Sequence, residues 1–167
     1  MKFVFKDYKL LSLDESFEIL SIRNNKAIRG ISLDSGVIDI QIHNSWILNL
    51  PKGSYFAMIF NDDIVGGVSF NNGFWGIFYK ESAQPLIRSI FAYLFLSKIL
   101  KDSDFIYSKI KSNNQNALRF NQFFGFDIIK SDGIYTLKLE KSKFISLNNK
   151  LINRVKSLAD NSKVEFI

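Results

Sequence analysis

Apolar and polar positions alternate at the start of the chain, in "KFVFKDYKLL", and a two-residue period of this kind predicts a strand. The period then lengthens. "SLDESFEILSIRNN" predicts a helix with Ser12 as N-cap, since Glu15 three residues on completes a capping-box pattern; Asp14 is the alternative cap. Leu13, Phe17 and Leu20 form its expected apolar side. "AIRGISLDSG" reads as a loop with a short helical piece. "VIDIQIHNSWILNL" is mixed: its first half alternates, whereas Ile42, Trp46, Ile47 and Leu50 follow helical spacing, so its second half is expected as a helix that stops at Pro51-Lys52-Gly53.

Three apolar runs follow, "SYFAMIF", "IVGGVSF" and "FWGIFYK". Asn61-Asp62-Asp63 and Asn71-Asn72-Gly73 separate them, and both are turn compositions, so an antiparallel meander is predicted. "PLIRSIFAYLFLSKILK" has Pro85 in its first turn and a wide apolar face of Ile87, Ile90, Phe91, Leu94, Phe95 and Ile99, the pattern of a helix. "FIYSKI" predicts a strand, "NNQNALRFNQFFGF" a helix closed by Gly125, and "FDIIKSDGIYTLKLE" a hairpin around Ser131-Asp132-Gly133. In the tail, Leu147, Leu151, Val155 and Leu158 fall near one helical face. The expected order is β-α-α-β-β-β-α-β-α-β-β plus a basic tail. This is an α/β chain with a mixed sheet, in which the central strand–helix–strand unit supplies one parallel pair.

Composition narrows this picture. With 167 residues the chain is one domain long enough for a sizeable core, and 17 Phe make that core aromatic. There is no Cys, which excludes disulfides and thiolate metal sites, and His43 is the lone histidine, so no metal site is expected. A disulfide-free chain fits a reducing cytoplasm. The longest apolar run, "IFAYLFL", is too short to span a bilayer, so no membrane partner is expected. The net charge is +6, but residues 141–167 hold six of the basic and only two of the acidic groups. The body is therefore close to neutral, which argues against a broad nucleic-acid face and leaves room for a small anionic ligand. Residues 1–140 read as the main domain and residues 141–167 as a basic extension serving as a packing or homodimer element.

The element order, together with "NQNALRFNQFFGF", resembles the GNAT family of acyl-CoA-dependent N-acyltransferases: Asn114, Ala117, Phe120, Gly125 and Phe126 fall on that family's helix pattern. Within it, the chain is most similar to the nucleotide-amino-sugar N-acetyltransferases of flagellin pseudaminic-acid synthesis. The matching residues are Arg23-Asn24, Arg29, His43 with Trp46-Ile47, Gly66, and Trp75-Gly76 with Phe78 or Tyr79. The resemblance implies acetyl-CoA as co-substrate and attack of a nucleotide-linked sugar amine on its thioester. It implies cofactor contacts at Phe78, Tyr79, Lys80, Leu86, Arg88, Asn114, Asn116, Ala117 and Phe120, and substrate contacts at Arg23, Asn24, Arg29, His43 and Trp46. His43 and Tyr79 are the candidate catalytic residues.

Two positions depart from the family pattern. The loop "KESAQ" has no glycine where the family carries a glycine-rich pyrophosphate loop, and Asn121 stands where a tyrosine often protonates the leaving thiolate. From the residues alone, alternatives stay open. His43 is either a base or substrate contact, or a half-exposed histidine packed on Trp46. Arg23 and Arg29 either bind phosphates or are solvated charges, and Tyr79 is either an acid or a lining residue.

Overall fold

A computed structural model describes residues 1–167. One eight-stranded sheet organises the chain, and its strands run in the spatial order β6-β7-β5-β4-β3-β2-β1-β8. The strands are β1 (Lys2–Asp7), β2 (Tyr55–Phe60), β3 (Asp63–Asn71), β4 (Phe74–Tyr79), β5 (Phe105–Lys111), β6 (Asp127–Ser131), β7 (Ile134–Glu140) and β8 (Lys163–Phe166). Between β1 and β2 lie a 3-10 turn (Tyr8–Leu10) and helices α1 (Leu13–Asn24), α2 (Lys26–Ile31) and α3 (Ile40–Asn49). Helix α4 (Pro85–Asp102) makes the parallel crossover from β4 to β5, and α5 (Gln115–Phe123) leads into the β6–β7 hairpin. The tail folds as α6 (Lys141–Ser146), α7 (Lys150–Asp160) and β8.

The turns of the meander are as their composition predicts. Asn61 and Asp62 at one corner, and Asn72 and Gly73 at the other, all have positive φ. One core cluster packs Phe3, Phe5, Phe56 and Met58 of the sheet against Ile87, Phe91 and Phe95 of α4, and continues into Leu118, Phe124 and Phe126 around α5. A second, smaller cluster joins Tyr8, Ile19, Ile47 and Leu50 to Ala57 and Ile64 of β2 and β3.

Three helices turn a different face inward from the one expected; in α7, Leu151 is exposed and Ile152, Val155 and Ala159 are buried. In α1, Leu13 and Phe17 are exposed, and Ser16, Ile19 and Leu20 are buried. The Ser12–Glu15 capping box does form, and Ser16 donates a hydrogen bond to Asn44 of α3 at 3.0 Å, which holds this rotation. Position 23 shares the face of 16, 19 and 20, so Arg23 is carried inward. In α3, Ile42 is exposed, whereas His43 and Ile47 are inside, with Leu50 buried just beyond the helix end. The helix also begins earlier than its alternating first half suggested, because Asp39 caps it.

The tail extends the sheet. β8 pairs in parallel with β1, Phe166 stacks on Phe5 at 4.3 Å, and Ile152, Val155 and Ala159 of α7 join the main core.

Candidate active site

The parallel pair at the centre of the sheet comes apart. β3 and β4 stay paired over six register positions, from Asn71–Phe74 to Gly66–Tyr79. β4 and β5 pair only at Phe74–Tyr107, with the Tyr107 N–H bonded to the Gly73 carbonyl at 2.9 Å. Past that point no ladder position joins the two strands, which leaves a gap in the sheet toward their ends. The Lys80 N–H bonds the Val65 carbonyl of β3 at 2.9 Å. Backbone groups alternate sides along a strand, so Gly76 and Phe78 direct their N–H groups to β3, and Ile77 and Tyr79 direct theirs into the gap. These N–H groups are the ones an extended ligand with amide groups would pair with, as an extra strand does. Gly66 sets the end of this edge: its φ is +157°, and a Cβ there would lie 2.1 Å from the Phe78 carbonyl oxygen.

On the α4–α5 side of the gap, side chains are occupied by the protein itself. The Tyr79 hydroxyl donates to the Arg88 carbonyl at 2.8 Å, and its ring packs against Phe120 at 6.1 Å. Burial pushes the Tyr79 phenol up, against the opposing Arg88 charge, so it stays neutral. Lys80 is paired with Asp63. Arg88 turns inward and donates to the carbonyls of Ala83, Glu81 and Lys80 at 2.7, 2.8 and 3.3 Å. Asn114 caps α5 by accepting from the Ala117 N–H at 3.1 Å and reaches the Ile31 carbonyl of α2 at 3.4 Å. Asn116 is exposed on the first turn of α5, Leu86, Ala117 and Phe120 are half-buried, and Gln115 bonds back to Ser112. Asn121 is buried: it accepts from the Trp75 indole N–H at 3.0 Å and donates to the Ala117 carbonyl at 2.8 Å. An amide held this way ties α5 to β4 and has no proton to give a thiolate.

The opposite side is built differently. Tyr8, Arg23 and His43 reach the second cluster from the 3-10 turn, α1 and α3. A Cβ on Gly67 would lie 2.5 Å from the Tyr8 hydroxyl and 2.6 Å from the Phe78 ring, so Tyr8 lies directly beside the end of β4. Its ring stands 6.3 Å from His43 and 6.2 Å from Trp46. The His43 Nε2 and the Arg23 Nη1 are both buried without a hydrogen-bond partner. Buried polar atoms are nearly always satisfied, so these two orphan atoms make the surroundings of Tyr8 a candidate ligand site; the Arg23 Nη2 is already held by the Asp34 carbonyl at 2.9 Å. Burial lowers the His43 pKa below the ordinary imidazole value, which leaves the ring neutral near pH 7. Burial likewise works against the Arg23 charge, with Asp34 and Tyr8 opposing that shift. Burial also raises the Tyr8 pKa, with Tyr55 adding to the rise and Arg23 opposing it, so Tyr8 is a neutral hydroxyl there.

The remaining expected substrate residues have structural partners. Asn24 exchanges two hydrogen bonds with Ile38, at 2.8 and 2.9 Å. Arg29 donates to the carbonyls of Asn24 and Ser35, both at 3.0 Å. Together they fix the segment between α2 and α3. Trp46 is partly exposed, 5.8 Å from His43. Tyr8 is the residue that sequence reading missed. It looked like one more position of the first strand, and the only signal was that alternation slips just before it, at the two consecutive polar residues Lys6-Asp7.

No family model matches the sequence, and neither does any curated protein. Solved structures do match the fold. The N-acetyltransferase PseH of Campylobacter jejuni, in complex with acetyl coenzyme A, superposes with a TM-score of 0.65 at 20% identity, over 83% of this chain and 98% of that one. FdhC, a nucleotide-linked sugar GNAT, gives 0.63 at 21% identity over 90% and 91%. A GNAT-family acetyltransferase from Bacillus anthracis gives 0.66 at 11% identity over 79% and 92%. At these identities the likeness is one of fold: the chain has the architecture of the GNAT acetyltransferases.

Proposed function

We propose that this chain is an acyl-CoA-dependent N-acetyltransferase whose acceptor is the amine of a nucleotide-linked amino sugar. The observation that carries this reading is the gap between β4 and β5, with main-chain N–H groups of Ile77 and Tyr79 open on one side, and on the other the unpartnered His43 Nε2 and Arg23 Nη1, the Arg23 Nη2 being held by the Asp34 carbonyl at 2.9 Å. One strand edge and one polar pocket suit a reaction between two substrates that must meet in line. The description of FdhC as a nucleotide-linked sugar GNAT is consistent with the acceptor class, and that of PseH with acetyl coenzyme A is consistent with the donor.

In this reading acetyl-CoA supplies the thioester, and the pantetheine arm lies along β4. The Tyr79 N–H faces the thioester oxygen and stabilises the charge that develops on it. Ala117 and Phe120 wall the gap, and the start of α4 receives the pyrophosphate. The acceptor amine attacks the thioester carbon; the new C–N bond forms as the C–S bond breaks, and the thiolate carries the bonding pair away. Neutral His43 takes the proton from the amine through Nε2, directly or through water. The task is modest, because an amine of this kind titrates near 8. Arg23 and Tyr8 hold anionic and hydroxyl groups of the acceptor. Tyr79 lines the donor side, its proton committed to Arg88. A thiol pKa of roughly 8.5 lets the thiolate depart without an acid at Asn121.

Thiol release from acetyl-CoA with a panel of UDP- and dTDP-linked amino sugars tests the reading, with turnover expected on at least one. Turnover on peptides alone would overturn the sugar assignment. A second reading, a domain of this fold that binds without turnover, draws on Asn121, whose polar groups are both spent. Calorimetry showing acetyl-CoA binding, with no turnover on any amine, would favour it.

A further inference from the structure

The glycine-free segment Lys80–Gln84 raises a physical problem. A backbone that presents several N–H groups to a phosphate usually needs glycine to turn tightly and approach closely. Here the turn is drawn together by Arg88 instead. Its planar guanidinium collects the carbonyl oxygens of Lys80, Glu81 and Ala83, and its own carbonyl is held by Tyr79. The same guanidinium lies 5.6 Å from the centre of the Tyr79 ring. In a trans peptide, the N–H of the next residue points opposite to the carbonyl. With those three carbonyls drawn inward, the N–H groups of Glu81, Ser82 and Gln84 face away from Arg88. None of them is bonded elsewhere in the protein. Gln84 does not cap α4 with its side chain, so the N–H groups at the start of that helix are also free.

We infer that Arg88 is the positioning residue of the donor loop: it replaces glycine as the device that turns the loop's N–H groups outward, and it does so without touching the pyrophosphate. The inference rests on the acetyl-CoA reading above. Donor recognition is then a main-chain property: Lys80 is paired with Asp63, and Arg88 works from behind the loop. A lysine cannot substitute, because a single ammonium does not reproduce the planar fork that spans three carbonyls.

The test compares acetyl-CoA with S-acetyl-pantetheine, which has the same thioester and ends before the pyrophosphate. By calorimetry the wild type is expected to prefer acetyl-CoA. Arg88→Met is expected to lose most of that preference, on the order of 10- to 100-fold, through three lost charge-assisted bonds. Its affinity for S-acetyl-pantetheine should be nearly unchanged. Arg88→Lys, which keeps the charge and guards against a folding failure, is expected to behave like the methionine variant. Amide hydrogen exchange at Ala83, whose N–H closes the loop on the Lys80 carbonyl at 3.0 Å, should quicken in both variants with no ligand added. Retained preference in Arg88→Met, unchanged exchange, or full rescue by lysine would overturn the inference and leave the acetyltransferase reading standing. A wild type that binds neither donor would instead remove that reading, and this inference with it.

Discussion

The two sides of the β4–β5 gap solve opposite problems. On the α4–α5 side the side chains of four residues at the gap are occupied: Arg88 by loop carbonyls, Lys80 by Asp63, Tyr79 by Arg88, and Asn121 by Trp75 and Ala117. What remains free there is backbone. On the α1–α3 side the backbone is satisfied in helices, and what remains free is side-chain nitrogen, the Arg23 Nη1 and the His43 Nε2 beside Tyr8. A backbone N–H is the same whatever residue carries it, so the first side suits an invariant ligand such as CoA. Side chains can be exchanged one at a time, so the second suits a variable acceptor. The comparison also explains why cations near a presumed phosphate site need not be its ligands.

The largest expected effect lies where both sides depend on one residue. Gly66→Ala should displace the end of β4, because its Cβ would overlap the Phe78 carbonyl. Denaturant unfolding should show a loss of about 3 kcal/mol. Turnover should fall on the order of 100-fold, as a small misplacement of reacting groups can do.

Variants of the acceptor side should separate from donor binding. His43→Ala is expected to lower turnover about 100-fold with less change in acceptor KM, as loss of a general base does. Arg23→Met is expected to raise acceptor KM about 10-fold or more through the loss of a charge-assisted bond. In steady-state kinetics, both should leave the KM for acetyl-CoA unchanged. A parallel rise in both KM values would break the division between the two sides.

Asn114→Ala should cost about 1 kcal/mol of stability through the lost cap of α5, and should weaken acetyl-CoA binding by loosening that helix start. Thermal melts and calorimetry check the two parts. A smaller effect follows from His43. Its folded pKa is depressed by burial, so below about 6.5 the unfolded chain takes up a proton that the folded one resists. Stability should therefore decline as pH falls from 7 toward 5, and His43→Gln should flatten that slope. The smallest effect is expected from Lys80→Met, which removes a partly exposed pair worth less than about 1 kcal/mol and should leave donor affinity intact.

Much of the architecture was legible from local rules. The Ser12–Glu15 capping box, Pro85 opening α4, the positive-φ corners at Asn61-Asp62 and Asn72-Gly73, and Gly125 after α5 are all decided within a few residues of chain. The faces of α1 and α3 were harder to read, because each carries apolar residues on more than one side. Sequence spacing cannot say which stripe meets the sheet; a bond between Ser16 and Asn44 decides it for α1. β8 was missed because a short edge strand is recruited by a partner near the other terminus and has little periodicity of its own.

By itself, then, the amino-acid sequence determined the order of the strands as far as β7, the turns, and a short inventory of residues able to bind phosphate, thioester or amine. Tertiary structure decided which of them are free to do so. A hydrogen-bonding group is available to a ligand only when the fold leaves it unpaired, and pairing depends on neighbours far away in the chain. That is why Asn24, Arg29, Lys80 and Arg88 are occupied within the protein, whereas Tyr8, which no motif singled out, stands beside the end of β4.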